Sequence, residues 1–261
     1  MAQKARETHA ADTSGTVART LAVLTVMAER GGSVGVTDVA TALGLPMSTS
    51  HRLLDLLRDG GFVEKVEAER RYMLGLQFLR VANLVTQNTS YAKLCQPALE
   101  RITAQTGETA VYCEYLPDRH MAAYAAKSDS THSLRYRITL FEPAPVECGA
   151  SGLAILSFLP PHLRASVCAA PRPSPLTGRR ASSSALAAQI EATRRKGFAV
   201  SNGEKLPDSI GIAVPIRMAD ERPIGSLTLT IPESRFVKSK LKDYVALLSE
   251  EARLLSSARN A

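Results

Sequence analysis

Apolar residues recur mostly at helical spacing up to about residue 106 and mostly at a spacing of two in several stretches beyond it. Val17, Leu21, Leu24 and Met27 form one stripe over Thr16–Arg30, with Ala18, Val23 and Ala28 beside it, and Gly31-Gly32 ends the run. A second short helix is predicted from Thr37 or the residue before it, with Val39, Ala40 and Leu43 inward. Gly44-Leu45 then makes a tight turn, and Pro46 is placed to open a third helix, where its missing N–H has no intrahelical use. That helix, Met47–Asp59, turns Leu53, Leu54 and Leu57 inward and stops at Gly60-Gly61. Phe62–Val66 and Arg70–Leu74 follow as two short strands around an acidic turn. Two short helices joined by a tight turn, a further helix before them and a hairpin after them make a winged helix-turn-helix. The outward side of the third helix carries Ser48, His51, Arg52 and Asp55, which share one face. Hydroxyl, imidazole and guanidinium groups near the start of such a helix are what a major groove requires. Taken alone, the same face also fits a solvated polar surface.

Beyond the wing, Leu76–Thr89 has no strong breaker and is predicted as a linker helix. Ser90–Thr106 is a further helix with Leu94, Ala98, Leu99 and Ile102 inward and Pro97 as a kink or restart. Period-two strands are predicted at Thr109–Leu116, His120–Lys127 and Ser133–Ile138, and again at Ile210–Arg217 and Ile224–Ile231. Helices are expected at Ser151–Leu159, Pro161–Ala169, Ser184–Lys196 and from Glu233 to about Ala258. The fold class is α+β: an antiparallel sheet flanked by helices, of the kind that senses small molecules, behind the winged helix. The expected division is a disordered tail over 1–13, a DNA-binding domain over 14–75, the linker helix over 76–89 and an effector-binding domain over 90–261.

Charge changes the picture less than its total suggests. The chain of 261 residues carries a net +7, yet residues 1–75 hold nine Lys/Arg against nine Asp/Glu. Bulk attraction to nucleic acid therefore does not support the DNA-binding reading, which rests on pattern. No apolar run reaches the ~18 residues of a membrane span, and Met1–Ser14 is polar with no signal-like core. Cys95, Cys113, Cys148 and Cys168 lie far apart with no CxxC, which fits neither a zinc site nor a disulfide framework and suits the cytoplasm. Gly149-Ala150-Ser151-Gly152-Leu153 approaches a nucleophile elbow, but its second glycine comes one place early. With no phosphate-binding loop either, no enzyme activity, cofactor or metal is expected.

These features together resemble the IclR family of bacterial regulators. The resemblance runs through Ala18-Arg19-Thr20-Leu21, Leu43-Gly44-Leu45-Pro46, Ser48-Thr49, His51-Arg52-Leu53-Leu54, Gly61-Phe62-Val63 and Tyr72-Met73-Leu74-Gly75. It continues through Thr106-Gly107-Glu108-Thr109, Gly152–Ser157, Arg195–Val200 and Ile212–Ile216. It implies a transcription regulator that binds double-stranded operator DNA as a homodimer or a dimer of dimers. Its affinity would be set by a small-molecule effector, an organic acid, held in a domain similar to GAF and PAS folds. Arg19, Met47, Ser48, Thr49, His51, Arg52, Arg70 and Arg71 are the DNA-contacting positions it implies, with Met47 standing where the family usually has Lys or Arg. The effector positions are Gly149, Ala150, Ser151, Ser201, Gly211, Thr228 and Thr230, the last two on one strand face. From the residues alone, those two threonines are ordinary strand residues. Leu153 replaces the family's usual Lys, Gly203-Glu204 its paired acids and Asp208 a usual Gly, and 141–148 departs from its Gly-x-x-x-Pro-Leu pattern. A winged helix serving only as a protein-interaction module is the alternative reading.

Overall fold

A computed structural model describes residues 15–66, 68–88, 91–175, 178 and 180–258. The tail expected over 1–13, the end of the linker helix at Thr89 and the start of the next at Ser90 lie outside them. The chain forms two compact units, one up to residue 90 and one from Tyr91.

The first unit begins with α1 (Thr16–Arg30), α2 (Val36–Leu43) and α3 (Met47–Asp59). A hairpin of β1 (Val63–Val66) and β2 (Arg71–Leu74) and then α4 (Leu76–Asn88) complete it. Val23, Met27, Val39, Leu53, Leu54, Val63 and Tyr72 close its core. The apolar stripe of α1 divides: Val23 and Met27 are buried, whereas Val17 and Leu21 stand 73% and 59% exposed. The reason is angular, since 23 and 27 share one side and 17, 21, 24 and 28 another. Gly44 ends α2 in the left-handed conformation, the usual device for stopping a helix sharply.

Arg71 on β2 is bound within the unit. Its guanidinium donates to the Ser33 hydroxyl at 3.0 Å, the Ser33 carbonyl at 2.8 Å and an Asp38 carboxylate oxygen at 2.9 Å. The Gly35 N–H, with Arg30 and Arg71 nearby, holds the Asp38 carboxyl below the ordinary carboxylate range. The wing is thereby tied to the start of α2. At the other end of the wing, Gly75 donates its N–H to the Phe62 carbonyl, and a Cβ there would lie 2.4 Å from the Gly61 oxygen. Gly75→Ala is expected to cost about 1–3 kcal/mol through this overlap. Urea denaturation checks it; an unchanged midpoint would mean that the junction yields.

The second unit is built on a six-stranded antiparallel sheet. Its strands are β3 (Thr109–Leu116), β4 (Met121–Ser128), β5 (Pro143–Pro145), β6 (Ala199–Asn202), β7 (Ser209–Arg217) and β8 (Pro223–Pro232), in the order β5-β4-β3-β8-β7-β6. Its helices are α5 (Tyr91–Thr106), α6 (Gly149–Phe158), α7 (Pro161–Ala169), α8 (Ser183–Lys196) and α9 (Leu241–Ala258). Alternate residues of each strand serve two cores. Tyr112, Ile212 and Leu227 pack with Leu99, Ile102 and Leu248 of α5 and α9. Val111, Cys113 and Ala213 pack with Ala150, Ile155 and Leu186 of α6 and α8.

Three expectations change here. Ser133–Ile138 is not a strand: Leu134 is 67% exposed, and β5 occupies the β4 edge it would have needed. Side chains hold that segment instead, with Arg235 donating to the Leu134 carbonyl and the Tyr136 hydroxyl to that of Asp208. β5 and β6 are strands that the sequence pattern does not predict. The last helix starts at Leu241 rather than Glu233, because Arg235 is drawn out to a buried Glu108 by bonds of 2.8 and 2.6 Å. A comparable clamp lies at the foot of α6. Buried Glu147 accepts from the Arg172 guanidinium at 2.9 and 2.8 Å and from the Arg172 N–H at 2.7 Å. The same guanidinium donates to the His120 and Arg119 carbonyls.

Candidate functional site

Two places gather the residues singled out in the sequence. The first is α3. Ser50, Leu53, Leu54 and Leu57 face the core, which leaves Met47, Ser48, His51 and Arg52 exposed and Thr49 half-buried. His51 Nδ1 lies 2.8 Å from an Asp55 carboxylate oxygen, and Arg58 pairs with the same carboxylate. That contact orients the ring and leaves Nε2 for an outside partner. Arg70 is exposed at the wing turn with a positive φ of 52°, whereas the Arg71 side chain is spent on Ser33 and Asp38. Arg19 sits partly buried on α1. The face thus offers hydroxyl, imidazole and guanidinium groups from a helix whose other side is locked in a core.

The second place is a small cavity at the N-terminus of α6. Ala150, Ser151, Ser201, Gly211, Thr228 and Thr230 line it together, joined by Tyr124, Lys205, Leu206 and Ser209. Strand register explains the assembly: Gly211 pairs with both Ser201 and Thr230, and Thr228 and Thr230 point to the same side of β8. A Cβ at Gly211 would lie 3.0 Å from Ser201 Oγ and 3.3 Å from Ala150 Cβ, so glycine leaves room where three elements converge. Ser151 is fixed by a 3.1 Å bond from the Thr228 hydroxyl, with the Tyr124 hydroxyl 3.3 Å away. The Ala150 N–H donates to Ser201 Oγ at 2.9 Å.

Gly149, with φ at 72°, sits at the edge of this cavity, and its N–H donates to a Glu204 carboxylate oxygen at 3.1 Å. Burial raises the Glu204 pKa, with the Gly149 N–H working against it. Next to it, Lys205 places its ammonium 3.7 Å from the centroid of the Tyr124 ring. Burial opposes that charge, but the Tyr124 oxygen and the Cys113 and Cys148 sulfurs around it leave its pKa raised. The remaining space is about 10 Å³, the room of one water. Tyr124, Glu204 and Lys205 are absent from the sequence-derived set. Tyr124 stood in a predicted strand with nothing to say which face it shared, and the other two lie in an aperiodic loop.

A wider hollow of about 200 Å³ lies beside His120, Glu147 and Arg172, but its charged groups satisfy one another. Burial pushes the Cys113 and Cys148 thiols up to about 11, so neither supplies a thiolate at neutral pH. Among the described residues no group of His, Cys, Asp and Glu is arranged to hold a metal, and no helix is long and apolar enough to cross a membrane.

The sequence matches the C-terminal domain of IclR bacterial transcriptional regulators over residues 83–257 and the IclR helix-turn-helix domain over 16–67. The chain belongs to the IclR family. It is therefore a transcriptional regulator with a DNA-binding helix-turn-helix and an effector-binding C-terminal domain, and not an enzyme. The HTH-type transcriptional regulator KipR of Bacillus subtilis is 25% identical over 227 residues, covering 87% of this chain and 89% of that one. An IclR transcriptional regulator structure from Silicibacter sp. TM1040 is 28% identical with a TM-score of 0.73, over 94% of this chain and 96% of that one. An IclR homolog from Microbacterium hydrocarbonoxydans, solved in complex with 4-hydroxybenzoate, shares the fold at 22% identity. Its TM-score is 0.76, over 93% of this chain and 98% of that one.

Proposed function

We propose that this IclR-family chain reads a specific operator with α3 of each protomer of a homodimer, and that a small organic acid in the α6 cavity sets its affinity. The observation that carries the reading is the convergence of Ser151, Ser201, Thr228 and Thr230 on one enclosed polar cavity at a helix N-terminus. Exposed N–H groups and the helix dipole there favour an anion. The carboxylate bound by the Microbacterium homolog belongs to the same chemical class. On the DNA side, Ser48, Thr49, His51 and Arg52 are the base-reading candidates, with Arg19, Met47 and Arg70 nearer the backbone. Arg71 is the exception within that set: its bonds to Ser33 and Asp38 make it a residue that positions the wing.

A gel shift with the DNA upstream of the protein's own gene, at low salt and with and without candidate carboxylates, tests the reading. No retardation in any lane would sink it. Arg52→Ala is expected to weaken operator binding about tenfold or more, because a base-reading arginine is worth about 1–3 kcal/mol. The same variant should keep its thermal response to an effector. Linkage adds a second requirement: operator DNA must change effector affinity by the factor with which the effector changes operator affinity.

A further inference from the structure

The α6 cavity already contains a carboxylate and an ammonium, and both come from the loop between β6 and β7. The Glu204 carboxylate accepts from the Gly149 N–H at 3.1 Å, at the first turn of α6 where an anion is favoured. Lys205 enters the same space from above Tyr124. Although the residue as a whole is partly exposed, its charged end is enclosed, and no ion pair within 4 Å joins it to a carboxylate among the described residues. A buried cation held only by an aromatic face and polar oxygens is an incomplete arrangement, since desolvated charges are normally paired. The free space of about 10 Å³ follows from these two side chains.

We propose that this loop occupies the cavity in place of its ligand: Glu204 stands where the carboxylate of a small monocarboxylate binds, and Lys205 is the cation that selects it. The inference rests on the α6 cavity being the effector site. A ligand carboxylate entering the cavity displaces Glu204 from the Gly149 N–H and comes within reach of the Lys205 ammonium. The neighbouring Ser201, Thr228 and Thr230 hydroxyls remain to bind the rest of the molecule. No bond is made or broken, and one carboxylate exchanges for another at the same donor. A neutral amide of the same shape gains nothing from Lys205 and is refused.

Glu204→Ala removes the internal carboxylate and leaves a hole that acetate fits. In a thermal-shift titration at constant ionic strength, sodium acetate is expected to raise the Tm of Glu204→Ala by about 3–5 °C near ten times its Kd. Wild type should shift by less than one third of that, acetamide should have no effect, and Glu204→Ala combined with Lys205→Met should lose the response. Glu204→Gln serves if the alanine variant does not fold, and acetate must then still shift it more than wild type. Equal shifts in all variants, no shift in any, or equal shifts with acetamide overturn the proposal. The operator gel shift keeps the two readings apart. Retardation without acetate rescue leaves the regulator reading standing and this one fallen, and acetate rescue without retardation does the reverse.

Discussion

A Leu21→Glu, Leu79→Glu variant is expected to sediment as a monomer and to hold its operator about 100-fold or more less tightly than the native protein. In the first unit, Val17 and Leu21 of α1 are exposed, and so are Leu76, Leu79, Val81, Leu84 and Val85 of α4. Apolar residues around so much of a helix belong in an interface, not in water. A second copy of the chain is the occupant that DNA reading requires. Residues 1–75 carry no net charge, so a single α3 draws little non-specific help from phosphates. Two linked recognition helices gain about 10²–10⁴ in avidity from effective concentration alone. A carboxylate at either position would have to be buried without a partner for the dimer to form. Both leucines are solvent-facing, so the monomer should fold normally and keep its circular dichroism. A variant that stays dimeric, or a monomer that binds as tightly as wild type, would refute this expectation.

The largest loss of stability is expected from Arg172→Met. The Glu147 side chain is only 2% exposed, and the Arg172 guanidinium and N–H supply three bonds to it. Removing the cation leaves a buried carboxylate alone, which costs about 3 kcal/mol and lowers the melting temperature by about 6–12 °C. The pH dependence gives a sharper check. Burial by itself would raise the Glu147 pKa, but the Arg172 side chain and N–H outweigh it and hold the pKa below the usual 4.5. A depressed carboxylate stabilises the fold above its unfolded value and loses that contribution as pH falls through its folded one. In Arg172→Met the sign reverses, because burial is then unopposed and the protonated acid is favoured. The gap between wild type and variant should therefore be widest near pH 7 and narrow toward pH 4. Urea unfolding at both values measures it. A loss under 1 kcal/mol, or one independent of pH, would mean that Glu147 is better solvated than its surroundings suggest. Glu147→Gln added to Arg172→Met should restore part of the loss, since a neutral pair no longer strands a charge.

The parts of this molecule that the sequence made visible are those fixed by neighbours in the chain. Pro46 opens α3, Gly44 and Gly60 bound its surroundings, and its outward residues follow from helical spacing alone. The effector positions came from the family resemblance, helped by the i, i+2 relation of Thr228 and Thr230. The hidden parts depend on residues far apart in sequence. Arg71 looks like any exposed wing arginine until Ser33 and Asp38, 38 and 33 positions away, take its guanidinium. Ser133–Ile138 alternates as a strand should, but alternation does not supply a free edge to pair with. Lys205 gives no periodic signal, and only tertiary packing brings it over Tyr124.

β5 is the opposite case, a strand whose two prolines argue against it in the sequence. Pro143 and Pro145 pair with Ala123 and Met121 at the margin of the six-stranded sheet. Proline has no N–H to offer a further strand, and is tolerated in a sheet only where none is needed. A neighbouring molecule that approached this margin would find no ladder to extend. The same residues that disguise the strand thus guard the protein against growing edge to edge into fibrils when it is crowded.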